Sequence, residues 1–305
     1  MTYVLCYNVT WYFKQIVHKI DGIRGNKMAI KELESLKVSI IMPAYNVSRH
    51  IEKTVNSVIR QTHTNWELLI VDDCSTDNTV EMIQDLHKTD SRINVYELET
   101  NSGAAVARNK AIEQAPGAYL AFLDSDDLWM PDKLSLQIDF MKKNKVAFSA
   151  TGYELISEDG TSKGIALLPP QKTNYDKMLR LSCPVGNLTV MYDRRIIGDQ
   201  QVPAIKKRND FALWLQTLHK TDACYGMPNV LGKYRVRKSS ISRNKLTLLS
   251  YHWDLYYHIE KLGVVKSVWY ICCWVFIKGT KIGIKRVGLK QNSKTDIVDS
   301  GLDYE

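Results

Sequence analysis

The sequence has no Cys-x-x-Cys pair, although six cysteines are present: Cys6, Cys74, Cys183, Cys224, Cys272 and Cys273. Cysteines scattered in this way give neither a structural zinc site nor a disulfide scaffold, and they suit a reducing, cytosolic compartment. No run of 18 or more apolar residues occurs, so no segment has the length of a membrane-spanning helix. The amino terminus lacks the early basic residue of a secretion signal: the first is Lys14, and Tyr7, Asn8, Thr10 and Tyr12 break the apolar positions. Internal repeats and low-complexity stretches are missing as well. Acidic residues are absent from 261–290, where Lys261, Lys266, Lys278, Lys281, Lys285, Arg286 and Lys290 stand.

What is present is ordinary for a globular protein: 305 residues, 45% hydrophobic and 24% charged, enough for one large domain or two modest ones. A formal net charge of +8 asks for an anionic partner, which a nucleotide, a nucleic acid or an anionic membrane surface would satisfy. The basic residues gather at 233–245 and toward the carboxyl terminus, outside any nucleic-acid-binding module, so no nucleic acid is expected as partner.

Residues 1–35 read as an N-terminal extension, with Met28 as an alternative start. "VSIIMPAYN" (38–46) is then a continuous apolar run, the pattern of a buried strand. Ile51, Val55, Val58 and Ile59 follow at helical spacing behind a Ser48 N-cap. "WELLIVDD" (66–73), "INVYELE" (93–99) and "AYLAFLD" (118–124) are further strands, separated by helices over 75–88 and the Ala-rich 101–115. A fourth helix opens at Pro131 and runs to about Lys143. Such alternation predicts an α/β fold with a doubly wound, mostly parallel sheet. The second half is less regular, with a strand over 147–156, a hairpin turn at Asp159-Gly160, a loop at Pro169-Pro170, a strand within 183–197 and an amphipathic helix over 210–220.

In doubly wound sheets ligands bind beyond the carboxyl ends of the strands. That edge carries Pro43-Ala44-Tyr45, Asp72-Asp73, Asn101 and Asp124-Ser125-Asp126-Asp127. Carboxylates crowded like the last group repel one another unless a cation stands between them. Asp124-x-Asp126 has three readings. It is an acidic amino end for the next helix, a phosphatase-type nucleophile pair whose usual pattern Leu128 breaks, or a clamp for a divalent metal and a diphosphate. The order of elements favours the clamp, because Mn2+ or Mg2+ takes one or two carboxylates together with phosphate oxygens.

"VSIIMPAYN", "ELLIVDDCSTDNT", "NSGAAVARNKAI" and "YLAFLDSDDLWMPDKL" resemble, in order and spacing, the signature blocks of family 2 glycosyltransferases with the GT-A fold. The resemblance covers roughly residues 37 to 245 and is nearest to bacterial enzymes of capsule, O-antigen or teichuronic-acid-type polysaccharides. It implies a GT-A domain over 36–245, divided into a Rossmann-like nucleotide-sugar half (36–150) and a smaller acceptor half (151–245). Amphipathic helices over 246–290 and a tail over 291–305 would follow. By position, Pro43, Ala44 and Tyr45 would wall the base, and Asp73 would accept from the uracil N3–H of a UDP-sugar. Asn101, Gly103 and Arg108 would line the nucleotide and sugar. Asp124 and Ser125 would belong to the same nucleotide-sugar site, Asp124 contacting ribose or sugar, and Asp126 would bind the metal.

"RNDFALWL" (208–215) resembles the family's acceptor-side block, where Glu-Asp is usual; here it reads Asn209-Asp210. The resemblance implies inversion at the anomeric carbon, with Asp210 as the base on the acceptor hydroxyl; the plain alternative for Asp210 is a helix N-cap. Trp214, one turn on, fills the core or lies under the acceptor sugar. From the basic run "KYRVRKSSISRNK" (233–245), Arg235, Arg243 and Lys245 are the expected diphosphate contacts. The expected activity is transfer of a sugar from a UDP-sugar donor to a polyprenyl-diphosphate-linked glycan acceptor, with a non-catalytic sugar-nucleotide-binding or scaffold protein of the same fold as the alternative. "SVWYICCWVFI" (267–277), too short to span but flanked by lysines, predicts peripheral attachment through residues 251–290 to an anionic membrane surface, on the cytoplasmic face of the plasma membrane, with a C-terminal helix docked on the core as the alternative.

Overall fold

A computed structural model describes residues 36–205, 207–237, 245–280 and 285–289. The N-terminal extension, Arg243 and the 291–305 tail lie outside them. The first half alternates as the periodicity predicts: β1 (Val38–Ala44), α1 (Ile51–Ile59), β2 (Trp66–Asp72), α2 (Thr79–Thr89), β3 (Ile93–Glu97), α3 (Ala104–Gln114) and β4 (Tyr119–Phe122). Their strands pair in parallel in the order β3-β2-β1-β4. β1 has a neighbour on each side and all seven of its residues are buried, which is why its sequence is apolar without alternation. β3 has no pairing beyond β2 on this path, and of its residues only Ile93 is buried.

The chain continues through β5 (Leu128–Trp129), α4 (Lys133–Asn144), β6 (Phe148–Ile156), β7 (Ser162–Leu168), β8 (Lys172–Thr173), α5 (Tyr175–Leu181) and a 3-10 turn (Asn187–Thr189). β9 (Val190–Asp193), α6 (Arg194–Ile197), α7 (Asn209–Leu218) and β10 (Cys224–Arg235) follow. α8 (Lys245–Trp253), a π-helical turn (Asp254–Ile259), α9 (Gly263–Thr280) and β11 (Lys285–Gly288) close the described part. β9 runs antiparallel between β4 and β6, and β10 runs parallel to β6, so one sheet carries both halves.

The two faces of this sheet bury separate clusters. Ile41, Leu69, Val71, Leu120 and Phe122 pack with α3 and α7; Ile40, Met42, Leu68, Ile70 and Ala121 pack with α1 and α4. The alanines of α3 let it lie close to the strands. Before β4, Gly117 passes Ser39 so tightly that a Cβ would stand 2.6 Å from the Ser39 nitrogen, so the Pro116-Gly117 break is a packing requirement as well as a helix stop.

Three expectations are corrected. Ser48 does not cap α1: the helix starts after His50, and Ser48 Oγ donates to Asp77 Oδ2 at 2.7 Å, tying the two loops of the edge together. α4 starts at Lys133 instead of Pro131, because Leu128–Trp129 first pairs with β10. α7 is not amphipathic. Phe211, Ala212, Leu213, Trp214 and Leu215 are all buried, since α7 lies between the sheet and the rings of His252 and Tyr256.

Candidate active site

Asp72 closes β2 and accepts from Ser75 N at 2.7 Å and Ser75 Oγ at 2.5 Å. Asp73 is buried; its Oδ1 accepts from Ser102 N at 2.7 Å and its Oδ2 from Gly103 N at 2.8 Å. Gly103 has φ +90°, a conformation that costs glycine little and that aims its N–H at the carboxylate. Asn101 adds a bond from Nδ2 to the Asp73 carbonyl at 3.2 Å. Asp73 thus fastens the end of β2 to the start of α3. A carboxylate offers about four acceptor positions, so two remain for a further N–H. Beside it, Asp73 N donates to the Ala44 carbonyl at 2.8 Å. Pro43 and Ala44 are buried, whereas Tyr45 is 47% exposed and presents a free ring at the same edge.

Arg108 projects from α3 and is buried. Its Nη2 donates to Asp124 Oδ1 at 2.6 Å and its Nη1 to Asn209 Oδ1 at 2.9 Å. Asn187, in the turn before β9, donates from Nδ2 to the same Asp124 oxygen at 2.9 Å. One guanidinium therefore joins the end of β4 to the first turn of α7, where Asp210 stands. Asn209, at the position where Glu is usual, accepts as a neutral amide and leaves Asp124 as the anion that balances Arg108. Asp210 is not an N-cap: that position is Arg208, at φ +64° and with no side-chain cap bond. Burial, together with the nearby Asp210 carboxylate, pushes the Cys183 thiol above its usual range.

The acidic turn is held from two sides, by α1 and by the end of β10. Thr54 Oγ1 donates to the Ser125 carbonyl at 3.0 Å. Arg235 N donates to Asp127 Oδ1 at 2.8 Å and Arg235 Nε to the Asp126 carbonyl at 2.8 Å. Arg235 Nη1 donates to the Glu158 carbonyl at 2.8 Å. Arg235 is 3% exposed and its donors serve backbone and Asp127, so it clasps the acidic turn to the β6–β7 hairpin and does not reach out to a diphosphate as expected. Arg237 takes the outward position: its Nε lies 2.7 Å from Asp126 Oδ2. Its place in the basic run was the only sequence signal for it; Asn187 had none. Lys245 opens α8, and its side chain lies outside the described residues.

Desolvation raises the Asp126 carboxyl above the ordinary range, with Arg237 opposing and Asp124 adding to the rise. Burial and the Asp126 and Asp124 carboxylates raise Asp127 much further, and Asp127 Oδ2 has no hydrogen-bond partner. Burial and the cationic Arg235 and Arg237 depress the His50 imidazole. No group of three or more His, Cys, Asp or Glu side chains among the described residues could hold a metal unaided. The turn nevertheless fits a hard divalent cation: a desolvated carboxylate and an orphaned carboxylate oxygen are oxygen donors short of positive charge, and phosphate oxygens and water can supply the other ligands.

Trp214 does not floor an acceptor site. It is fully buried, edge-on to Phe122 with ring centroids 4.9 Å apart and against Phe148 at 5.8 Å. Helix α7 faces the sheet there, so the residue one turn after Asp210 points into the core.

A parallel sheet with acidic loops at its carboxyl edge, continued by an antiparallel part and by a helix α7 that Arg108 bridges to that edge, is the GT-A glycosyltransferase fold. Residues 39–197 match the model of the family described as Glycosyl transferase family 2, and the chain belongs to that family. It is 46% identical over 249 residues to TuaG of Bacillus subtilis, whose name assigns it to teichuronic acid biosynthesis as a glycosyltransferase; the match covers 82% of this chain and 96% of TuaG. It is 41% identical over 225 residues to WfgD of Escherichia coli, named UDP-Glc:alpha-D-GlcNAc-diphosphoundecaprenol beta-1,3-glucosyltransferase, with 73% and 86% covered. Among solved structures, S. aureus TarS 1-349 in complex with UDP-GlcNAc superposes with TM-score 0.61 at 21% identity, covering 78% of this chain and 71% of TarS. The mannosyltransferase PcManGT from Pyrobaculum calidifontis, in complex with GDP-Man and Mn2+, gives 0.55 at 17% identity, with 80% and 74% covered.

Proposed function

We propose that this glycosyltransferase moves a sugar from a UDP-sugar to a hydroxyl of a polyprenyl-diphosphate-linked glycan, with inversion, in bacterial surface polysaccharide synthesis at the cytoplasmic face of the plasma membrane. The observation that carries the proposal is the Arg108 bridge from Asp124 to Asn209, because it holds the nucleotide edge and the helix of Asp210 in one site. The UDP-Glc and diphosphoundecaprenol in the name of WfgD and the UDP-GlcNAc bound to TarS support the donor and acceptor classes.

In this mechanism Tyr45 packs on the base, and the spare acceptor positions of Asp73 receive the uracil N3–H. Asp124, oriented by Arg108 and Asn187, takes hydroxyls of the ribose or the donor sugar. Asp210 removes the proton from the acceptor hydroxyl as that oxygen attacks the anomeric carbon from the side opposite the diphosphate, and the bond from that carbon to the diphosphate oxygen breaks with its electron pair leaving on UDP. Asp126 would hold the divalent metal, Mn2+ or Mg2+, which when bound offsets the charge on the diphosphate. Arg237, on the outer side of Asp126, and the basic run beyond it supply further donors to phosphate oxygens and keep water from the donor.

The test is Asp210→Asn, assayed for UDP release from a panel of UDP-sugars with and without a lipid-linked acceptor. The side chain keeps its shape, so folding and UDP affinity are expected to stay as in wild type while transfer slows at least ~10²-fold. A variant that transfers at the wild-type rate removes Asp210 as the base, and a wild-type chain that binds UDP-sugars without turnover favours the non-catalytic alternative.

A further inference from the structure

Helix α9 has two faces of opposite fate. On one, Ser267 and Trp274 are buried, Tyr270 OH donates to Asp176 Oδ1 at 2.9 Å, and Trp274 packs on His252 with centroids 4.7 Å apart. These contacts dock the helix on α5 and α8. The other face is turned to solvent, and it is apolar throughout. At 100° per residue, Val264, Val265, Val268, Trp269, Val275 and Phe276 fall on one side, with Cys272 among them. Val265 is 83% exposed, Phe276 64% and Trp269 58%. A docked surface helix normally turns polar residues to water, so an apolar outer face with two large aromatics calls for a partner.

We infer that this face is the element that beds the enzyme in an anionic bilayer, with α9 lying in the plane of the headgroups. The inference rests on the lipid-linked acceptor proposed above and supplies the surface that reading needs. Charge selects the occupant. Lys261 and Lys266 are exposed beside the apolar strip at its amino end, Lys278 follows it, and no acidic residue occurs in 261–290. Lysines beside a Trp- and Val-rich face match lipid phosphates above acyl chains. A second copy fits less well: a two-fold contact would set the same lysine-edged strip against itself, with no carboxylate on this helix to answer it. The face lies in the plane of the membrane without crossing it, because no helix among the described residues is long and apolar enough to span. The docked face ties this anchor through α5 and α8 to Cys183 and α7, on the acceptor side of the site.

The full chain is tested on vesicles of phosphatidylcholine alone and with phosphatidylglycerol. Wild type is expected to co-sediment with the anionic vesicles and to release as salt rises. Brominated lipid is expected to quench its tryptophan emission, and Trp269→Phe to remove most of that quenching. Val265→Asp combined with Phe276→Asp alters only exposed positions; it is expected to weaken vesicle binding at least about tenfold. The same pair should leave transfer to a water-soluble acceptor unchanged and slow transfer to a lipid-linked acceptor in vesicles. Wild type that ignores anionic vesicles, or a double variant that binds them as wild type does, overturns the inference. A concentration-dependent dimer that the double variant abolishes, without vesicle binding by wild type, assigns the face to a second copy. Loss of transfer to every acceptor by wild type would instead sink the proposed activity, and vesicle binding would be read independently of it.

Discussion

Asp72-Asp73 and Asp126-Asp127 are both acidic pairs at the same sheet edge, yet they do different work. The first pair is satisfied by nearby loops: Ser75, Ser102 and Gly103 donate to its four carboxylate oxygens, two of those bonds coming from the loop that starts α3. The second pair leans on the end of β10 and the residues just after it, more than a hundred residues away, where Arg235 serves Asp127 and Arg237 serves Asp126. One oxygen of Asp127 stays unpartnered, and both carboxyls are pushed up by burial. Carboxylates that accept from the N–H and O–H groups of adjacent loops shape a site and keep only spare lone pairs for a ligand N–H, whereas carboxylates short of positive charge are where a cation is received.

The sharpest break of this comparison is Asp126→Ala. Its carboxylate meets a single outward arginine, so the fold should survive, while metal-dependent transfer should fall by roughly 10³-fold or more. A folded variant with near wild-type turnover under excess Mn2+ would remove the clamp. Asp73→Ala should do the reverse in stability: it leaves Ser102 N and Gly103 N without acceptors, at a cost of about 2–3 kcal/mol, read as a lower denaturant midpoint.

The two arginines separate in the same way. Arg235→Ala should destabilise by about 2–4 kcal/mol, since it opens the Asp126, Glu158 and hairpin contacts together. Arg237→Ala should leave the midpoint within about 0.5 kcal/mol and weaken UDP binding severalfold in calorimetry. Equal stability losses at both positions would mean that the clasp and the outward arginine have been told apart wrongly.

The smallest expected effect concerns the lysine of the first turn of α4. Lys133 is fully buried, its Nζ 3.8 Å over the Trp129 ring with no hydrogen-bond partner, and burial holds its pKa well below the lysine range. A lysine depressed in the folded state contributes full stability only above its unfolded pKa and loses it as pH falls through the folded value. Lys133→Met should therefore raise the thermal midpoint at neutral pH, with the gap closing as the buffer approaches the ordinary lysine pKa. A gap that stays constant with pH would show that packing, not charge burial, sets the difference.

Much of the nucleotide side was legible in the residues. β1, β2 and β4 announced themselves as mostly apolar runs, and the turns that follow them carried polar residues, because hydrophobic period and turn chemistry are local properties. Reading went astray where a side chain's partner lay far along the chain. Ser48 has the character of a cap but bonds Asp77, and Arg235 stands in a basic run but bonds inward; of the two readings of Trp214, core packing against Phe122 is the one that holds. Asn187 carried no signal at all, since an asparagine in a turn is ordinary until Asp124 is placed beside it.

The sequence by itself determined the parallel half-sheet, the edge on which its carboxylates gather and the apolar, lysine-flanked strip of α9, because each follows from residue type repeated at the period of a strand or a helix. Only the tertiary structure decided which of those carboxylates are spent on holding loops and which remain short of charge. Arg108 meets Asn209 across 101 residues and Arg235 meets Asp126 across 109, and pairings at such separations are set by how the sheet closes on itself, which no local pattern encodes.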